Sequence, residues 1–414
     1  MKKFSVFSPQ GNVVEGKIRL NGSKSISNRV LIMRALSGED FLIENLSTAQ
    51  DTKTLQKLLT TKKKTLDAGA GGTTFRFLTA FLACQQGKNV VLTGSERMQQ
   101  RPILLLVNAL KQLGADIEYV NNEGFPPLHI KGKKLIGGKV SIPADTSSQY
   151  ISALLMIGPT LEQGLELELS GEIVSKPYIE MTLGLMKYFG IKYSFKGNNI
   201  RIKPGKYVPK PFFVEADWSA ASYFYEMAIL AEEAKITLSG LGENSLQGDS
   251  IITKIAEKFG ITSAFSGYDL TIEKVNTVPV KSLSYDFITC PDIAQTLVVA
   301  CAGNYMNAQL KGLSTLKIKE TDRISALDME LSKYGCSFKQ TDANKWVLSA
   351  KKFTPIPEGA VEIDTYEDHR MAMSFAPLCL VSEQVIIKEP DVVAKSYPDF
   401  WKDISKLGFI VAEE

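Results

Sequence analysis

Apolar and polar positions follow an order that recurs along the chain. A short β-rich run ends near a glycine, a helix-period run ends in Leu-Gly, Phe-Gly or Tyr-Gly, one or two strand-like runs follow, and then a helix opens on small polar residues. In NVVLTGSERMQQRPILLLVNALKQLGADIEYV the apolar residues keep helical spacing up to Gly114, a natural helix stop. LELELSGEIVSKPYIEMTLGLMKYFGIKYSF, KITLSGLGENSLQGDSIITKIAEKFGITSAF and AQLKGLSTLKIKETDRISALDMELSKYGCSF repeat the pattern. Their helices end at Gly190, Gly260 and Gly335, a period of roughly 70–76 residues.

The second helix of each unit opens in TSSQYISALLMIG, DWSAASYFYEMAIL, PDIAQTLVVACA and EDHRMAMSFAPLCL, with Ser, Thr or Asp at the opening as N-cap chemistry requires. GSKSISNRVLIMRAL and AGGTTFRFLTAFLA read as the same helix earlier in the chain. The C-terminal stretch VIIKEPDVVAKSYPDFWKDISKLGF reads as the start of a unit that the N-terminus completes. Six such units predict an α/β (α+β) fold of two domains with three units each. One domain is expected over residues 1–20 plus 215–414 and the other over 21–214, the second boundary lying in the stretch from Pro204 to Val214.

Composition narrows the function. Lys plus Arg (48) nearly balances Asp plus Glu (45), so the chain is no global magnet for nucleic acid, and affinity for anions has to be local. Five scattered cysteines without a CxxC pair argue against disulfides and zinc. Two histidines exclude a multi-histidine metal site; no metal and no cofactor are expected. The N-terminal run breaks into Ser, Pro and Gly before any export signal develops, and no stretch reaches membrane-spanning length. A cytoplasmic protein with no membrane partner is the expectation. Neither a Walker P-loop nor a Rossmann GxGxxG is present, which argues against nucleotide-driven kinases and dehydrogenases. The run Lys62 to Lys64 reads as a solvated face.

Candidate chemistry gathers at the helix openings, which bind anions when they face a cleft. Lys24, Arg29, Arg97, Arg101, Lys319, Arg323, Arg370 and Lys395 all lie there. A lone Lys or Arg is usually surface charge, but these fall at matching junctions of the repeat. Asp292, Glu320 and Asp368 are the carboxylates near them, each also able to serve as a cap or ion-pair partner. His129 in a strand-like run reads as structural, whereas His369 at a helix opening suits packing and a cleft role equally. The residues alone point to an enzyme that binds small polyanions, its reaction open.

Nine strings carry a resemblance: GSKSISNRVLIMRAL, AGGTTFRFLTA, SERMQQRPI, DTSSQYISALLM, SKPYIEMTL, PDIAQT, KETDRISAL, YEDHRMAMSF and KSYPDFW. In order and spacing, from Gly22 to Trp401, they resemble the enolpyruvyl transferases that act on shikimate 3-phosphate. The resemblance implies an inside-out α/β barrel fold, two similar domains each of three βαβαββ units, closing on their ligands. It also implies a monomer whose partners are two small molecules, shikimate 3-phosphate and phosphoenolpyruvate. Shikimate 3-phosphate would then be held by Lys24, Ser25, Arg29, Ser147, Ser148, Gln149, Ser175, Tyr178, Asp292, Thr315 and Lys319. Phosphoenolpyruvate would be held by Lys24, Gly72, Arg101, Gln149, Arg323, Arg370 and Lys395. Asp292 matches the family's base, Glu320 the group linked to proton exchange at C3, and Lys24 shares acid/base work. The chain departs from the pattern at Ala70-Gly71-Gly72-Thr73, where the family has Asn-Ala-Gly-Thr or Asn-Ser-Gly-Thr, and at Thr315, where some members have Asn. Retention of Gly72 implies sensitivity to glyphosate. Three alternatives stay open on residues alone: the related transferase acting on UDP-N-acetylglucosamine, a non-catalytic anion-binding protein on the same scaffold, and an RNA-binding or RNA-end-processing protein. The KSISNR and KETDR segments disfavour the first, intact Lys24, Asp292, Glu320 and Lys395 the second, and near-neutral charge the third.

Overall fold

The computed structural model of the chain describes residues 2–275, 280–354, 360–382 and 384–414. It divides into two compact units, Gly22–Val214 and Met1–Asn21 with Glu215–Glu414. Asn21 belongs to the second of these, where its carbonyl accepts from the Asp217 amide and its side chain donates to Asp399.

In the 22–214 unit the helices are α1 (Lys24–Ser37), α2 (Gln50–Thr60), α3 (Gly72–Ala83), α4 (Leu104–Gln112), α5 (Ser148–Ile157) and α6 (Lys176–Tyr188). The repeat is complete in residues 138–202. Strand Gly138–Pro143 leads through α5 to the parallel strand Leu165–Ser170. Helix α6 then leads to the hairpin Tyr193–Lys196 and Asn199–Ile202, whose second strand pairs antiparallel with Leu165–Ser170. Alternation fixes which face is buried: Leu165, Leu167 and Leu169 are inside and the intervening glutamates outside. The same pairing recurs around Thr65–Asp67, Asn89–Thr93, Asp116–Tyr119 and Leu128–Lys131. The third repeat of this unit is reduced. Phe212–Phe213 pairs parallel with Ile43–Glu44, and the chain runs from α2 through Thr61–Lys64 straight into the strand at Thr65. Among the described residues no hairpin follows α2.

The other unit holds three complete repeats, with α7 (Trp218–Leu230), α8 (Ala294–Gly303), α9 (Arg323–Ser332) and α10 (His369–Phe375) among its helices. One sheet is built from Val13–Arg19, Glu233–Ser239, Ile261–Ser266 and Asp269–Lys274, and a second from Ser282–Asp286, Asn307–Lys311, Ser337–Asp342 and Lys345–Ser349. The third joins both chain ends: Lys3–Phe7 lies between Gln384–Lys388 and Ile410–Glu413, Phe4 facing Ile387 on one side and Glu413 on the other. The helix-ending glycines 114, 190, 260 and 335 all take left-handed φ values, 104°, 86°, 77° and 76°, which a side chain would strain.

One core residue in this second unit breaks the rule of paired burial. Glu226 on α7 is fully buried and neither carboxylate oxygen has a hydrogen-bond partner among the described residues. Burial raises its pKa well above the usual carboxylate range. With the folded value raised, its contribution to stability is complete at low pH and is lost as pH climbs from the ordinary carboxylate range toward the folded value. Glu226→Met is therefore expected to stabilise the protein by about 1–3 kcal/mol, more at pH 8 than at pH 5. Thermal melts at the two pH values check this, and an equal or negative shift at pH 8 would contradict it.

Candidate active site

In the 22–214 unit, four helix openings carry the relevant groups. The Ser23 hydroxyl caps α1 by accepting from the Ile26 amide, which places Lys24 at the first helical position. Lys24 Nζ lies 3.6 Å from Asp51, itself in the first turn of α2. Arg29 stands one turn further into α1 and is 2% exposed. It donates to Thr182 Oγ1 (2.7 Å), Ser152 Oγ (3.0 Å) and the carbonyls of Ser25 (2.9 Å) and Tyr178 (3.5 Å), and it packs over the Tyr178 and Phe77 rings. Every one of these partners is neutral. Burial pulls its pKa down to about 10, so it remains charged at neutral pH.

Gly72 opens α3, and a Cβ there would meet Arg76 at 2.5 Å and Arg101 at 2.7 Å. Arg76 donates to Gln149 Oε1 (2.9 Å), and Gln149 donates in turn to Thr73 Oγ1 (2.8 Å), tying the openings of α3 and α5 together. Arg76 Nε is buried without a hydrogen-bond acceptor. Ser147 and Ser148 sit at the N-cap and first position of α5, and no side chain caps that helix. Ser175, at the N-cap of α6, takes φ 55° and ψ 39°, a strained setting for a side chain of its kind, and α6 likewise has no side-chain cap. Tyr178 follows in the first turn of α6. Arg29 and Arg76 are thus buried cations with no carboxylate among the described residues to neutralise them. Uncompensated buried charge is costly, and an anionic ligand would relieve it.

The second unit solves the same problem with paired charges. Arg323, first in α9, grips Asp368 through Nε (2.6 Å) and Nη2 (3.3 Å) and reaches Glu320 at 2.9 Å. Burial would lower its pKa, but Asp368, Glu320 and Asp292 outweigh that and hold it raised. Asp292 precedes α8, whose N-cap position falls on Ile293. Its Oδ1 faces Lys319 (3.5 Å) and Arg323 (3.4 Å), and its Oδ2 faces Arg370 (3.3 Å). Lys395 stands 3.4 Å from Glu320 Oε1. Desolvation lowers the Lys319 pKa, Asp292 opposes it, and Arg323 adds to the lowering. Thr315 is half-buried and its hydroxyl has no hydrogen-bond partner among the described residues. Arg370 also donates to Tyr223 and Ser219.

The structure thus groups Asp292, Lys319, Glu320, Arg323, Arg370 and Lys395 in one unit, and Lys24, Ser25, Arg29, Gly72, Arg101, Ser147, Ser148, Gln149, Ser175 and Tyr178 in the other. Arg97 lies in the turn before Arg101 and reaches Gln100 at 3.5 Å. His129 bonds Asn89 (2.7 Å) and Glu118 (3.3 Å) on a sheet, and His369 is buried 3.6 Å from Asp368. Three residues escape sequence reasoning. Arg76 stands one helical turn after Gly72, a spacing that could have flagged it. Asp51 sits 27 residues from Lys24, its ion-pair partner, and its nearest cation in sequence is the exposed Lys53. Asp249, which accepts from the Ser219 hydroxyl, is pushed up to about 7 by burial and by the charge of Asp292. Nothing in SLQGDS announces it.

The profile of the EPSP synthase (3-phosphoshikimate 1-carboxyvinyltransferase) family matches residues 9–61 and 54–404. A 3-phosphoshikimate 1-carboxyvinyltransferase of Bacteroides fragilis (strain YCH46) is 48% identical over 397 residues, covering 96% of each chain. One from Haemophilus influenzae (strain PittGG) is 35% identical over 436 residues, covering 96% of this chain and 97% of the other. The EPSP synthase structure from Acinetobacter baumannii superposes with a TM-score of 0.78 at 22% identity, covering 100% of both chains, and so shares the fold. With a family profile over nearly the whole chain and a close relative matched end to end, the chain belongs to the EPSP synthase family.

Proposed function

We propose that the protein transfers the enolpyruvyl group of phosphoenolpyruvate to the 5-hydroxyl of shikimate 3-phosphate, releasing phosphate, in the route to chorismate and the aromatic amino acids. One observation in this structure supports it above others: Arg29 and Arg76 are buried as cations without carboxylate partners, which suits a protein whose natural counter-ions are its substrates. Arg29, Lys24, Ser25 and the hydroxyls of Ser147, Ser148 and Ser175, with Gln149, Tyr178, Thr315 and Lys319, bind shikimate 3-phosphate. Arginine forks match carboxylate and phosphate geometry, which suits Arg101, Arg323 and Arg370 to phosphoenolpyruvate along with Gly72, Gln149, Lys24 and Lys395. Arg76 joins this set through its place beside Gly72.

The substrate hydroxyl oxygen bonds to C2 of phosphoenolpyruvate, its proton passes to Asp292, and C3 takes a proton from Glu320 or Lys24. Collapse of the tetrahedral adduct breaks the C2–O bond to phosphate, C3 loses a proton, and the enol ether remains. No covalent bond to the protein is needed. The protein acts as a monomer in the cytoplasm on these two small molecules, with no nucleic acid partner. Among the described residues no helix is long and apolar enough to cross a membrane.

Phosphate release from purified protein tests the reading. Release that requires both substrates, and that fails when UDP-N-acetylglucosamine replaces shikimate 3-phosphate, is expected. No release from folded protein given both would overturn it. Gly72→Ala in the same assay pushes on two guanidinium groups and is expected to raise KM for phosphoenolpyruvate about 10- to 100-fold, with a far smaller change for shikimate 3-phosphate. Equal rises in both would remove Gly72 from the phosphoenolpyruvate set.

A further inference from the structure

The missing hairpin of the reduced repeat leaves a space with its own chemistry. In the two complete repeats of the same unit, the stretches from Leu113 to Gly137 and from Phe189 to Pro211 follow the second helix, whereas only Thr61 to Lys64 follow α2. A cavity of about 930 Å³ opens there, walled by the C-terminal parts of α1 and α3, by α2 from Lys53 onward and by the start of the strand Asn89–Thr93. Its apolar wall includes Leu58, Leu59, Leu66, Phe81 and Leu82. Its rim carries Lys53, Lys57, Lys62, Lys63, Lys64 and Lys88, all exposed and none ion-paired among the described residues. Arg34 is already matched by Asp40 at 3.1 Å.

Lysines at helix C-termini ordinarily answer the helix dipole. Three helix ends present about −0.5 each, and Glu39 adds one charge, roughly −2.5 in total against six lysines. About three and a half positive charges remain unanswered. They surround a concavity rather than a convex face, and apolar walls concentrate the field of such a rim. The volume lies within the range of about 300–1,000 Å³ typical of small-molecule sites. The substrate-binding groups of α1 and α3 stand toward the other ends of those two helices. At about 1.5 Å per residue, α1 separates Lys24 by roughly 10 Å from Leu31, where the cavity wall begins, and by roughly 20 Å from Gly38.

We infer that this cavity is a second anion site, which binds a small molecule with a compact apolar or aromatic body and a multiply charged phosphate or carboxylate head. The head sits among Lys62, Lys63, Lys64 and Lys88, and the body lies against Leu58, Leu59 and Phe81. The reduced repeat creates the site, because a hairpin after α2 would compete for the same space.

Titrating the full chain with 1-naphthyl phosphate, followed by naphthyl fluorescence, tests this. Saturable binding with Kd below about 1 mM is expected, undisturbed by saturating shikimate 3-phosphate and at least about tenfold tighter than that of inorganic phosphate in competition. The variant Lys62→Glu/Lys63→Glu/Lys64→Glu is expected to weaken binding at least tenfold and keep wild-type turnover. Leu59→Ser is expected to weaken naphthyl phosphate but not inorganic phosphate. Displacement by shikimate 3-phosphate would assign the binding to the substrate site and overturn the proposal, as would unchanged affinity in the triple variant. Binding of a glutamate-rich peptide without binding of naphthyl phosphate would overturn it in favour of a protein partner.

Discussion

Asp292→Asn is expected to lower kcat by about 10²- to 10⁴-fold while KM for both substrates stays level or falls. The carboxylate is held among Lys319, Arg323 and Arg370 at 3.3–3.5 Å. The amide keeps its shape but can take no proton from the attacking hydroxyl. It also removes a negative charge from a site that receives two anions, and binding should not suffer. Steady-state kinetics on protein shown by circular dichroism to be folded separates the readings. A loss carried by KM with kcat preserved would make Asp292 a binding group and leave the base unassigned.

The second large effect falls on stability. Arg323→Met is expected to cost about 3–5 kcal/mol, because Asp368, with 0% exposure, would lose a bidentate partner and remain buried as an unmatched charge. Arg323→Lys should recover little, since one ammonium cannot reproduce two parallel bonds and also reach Glu320. Adding Asp368→Asn to Arg323→Met should return part of the loss by removing the stranded charge. Urea unfolding measures all three. A single-variant loss below about 1 kcal/mol would mean that water or a neighbouring cation rescues Asp368.

The repeat was legible because its punctuation is local. Four glycines end four helices, and each adopts a backbone conformation that only its own sequence position needs to specify. Strands such as LELELS declare their buried face by alternation. The reduced repeat was not legible, since an absent hairpin leaves no pattern of its own. What it did leave, the lysine run after α2, reads in isolation as an ordinary solvated face. Glu226 was hidden for a related reason: a glutamate within a helix looks like surface until the packing around α7 is known.

At the candidate site, cations at helix openings could be singled out because Ser, Gly and Asp around them mark the openings. Their partners could not. Lys24 meets Asp51 from another helix, and Asp249 comes beside Ser219 and Asp292 through tertiary packing. The contrast between buried arginines with neutral neighbours and an arginine locked to three carboxylates is likewise invisible without coordinates.

The strand Lys3–Phe7 is synthesised some 380 residues before either of its sheet neighbours, Gln384–Lys388 and Ile410–Glu413. The 22–214 unit has all its partners once Val214 has left the ribosome. Some 200 residues of synthesis, roughly 10–40 s, then pass before KFSVF can pair. Through that interval it is an open, β-prone edge segment of the kind that invites pairing with other chains. Chaperone demand for this protein should therefore peak on the nascent chain late in translation, after one unit has folded and before the other can.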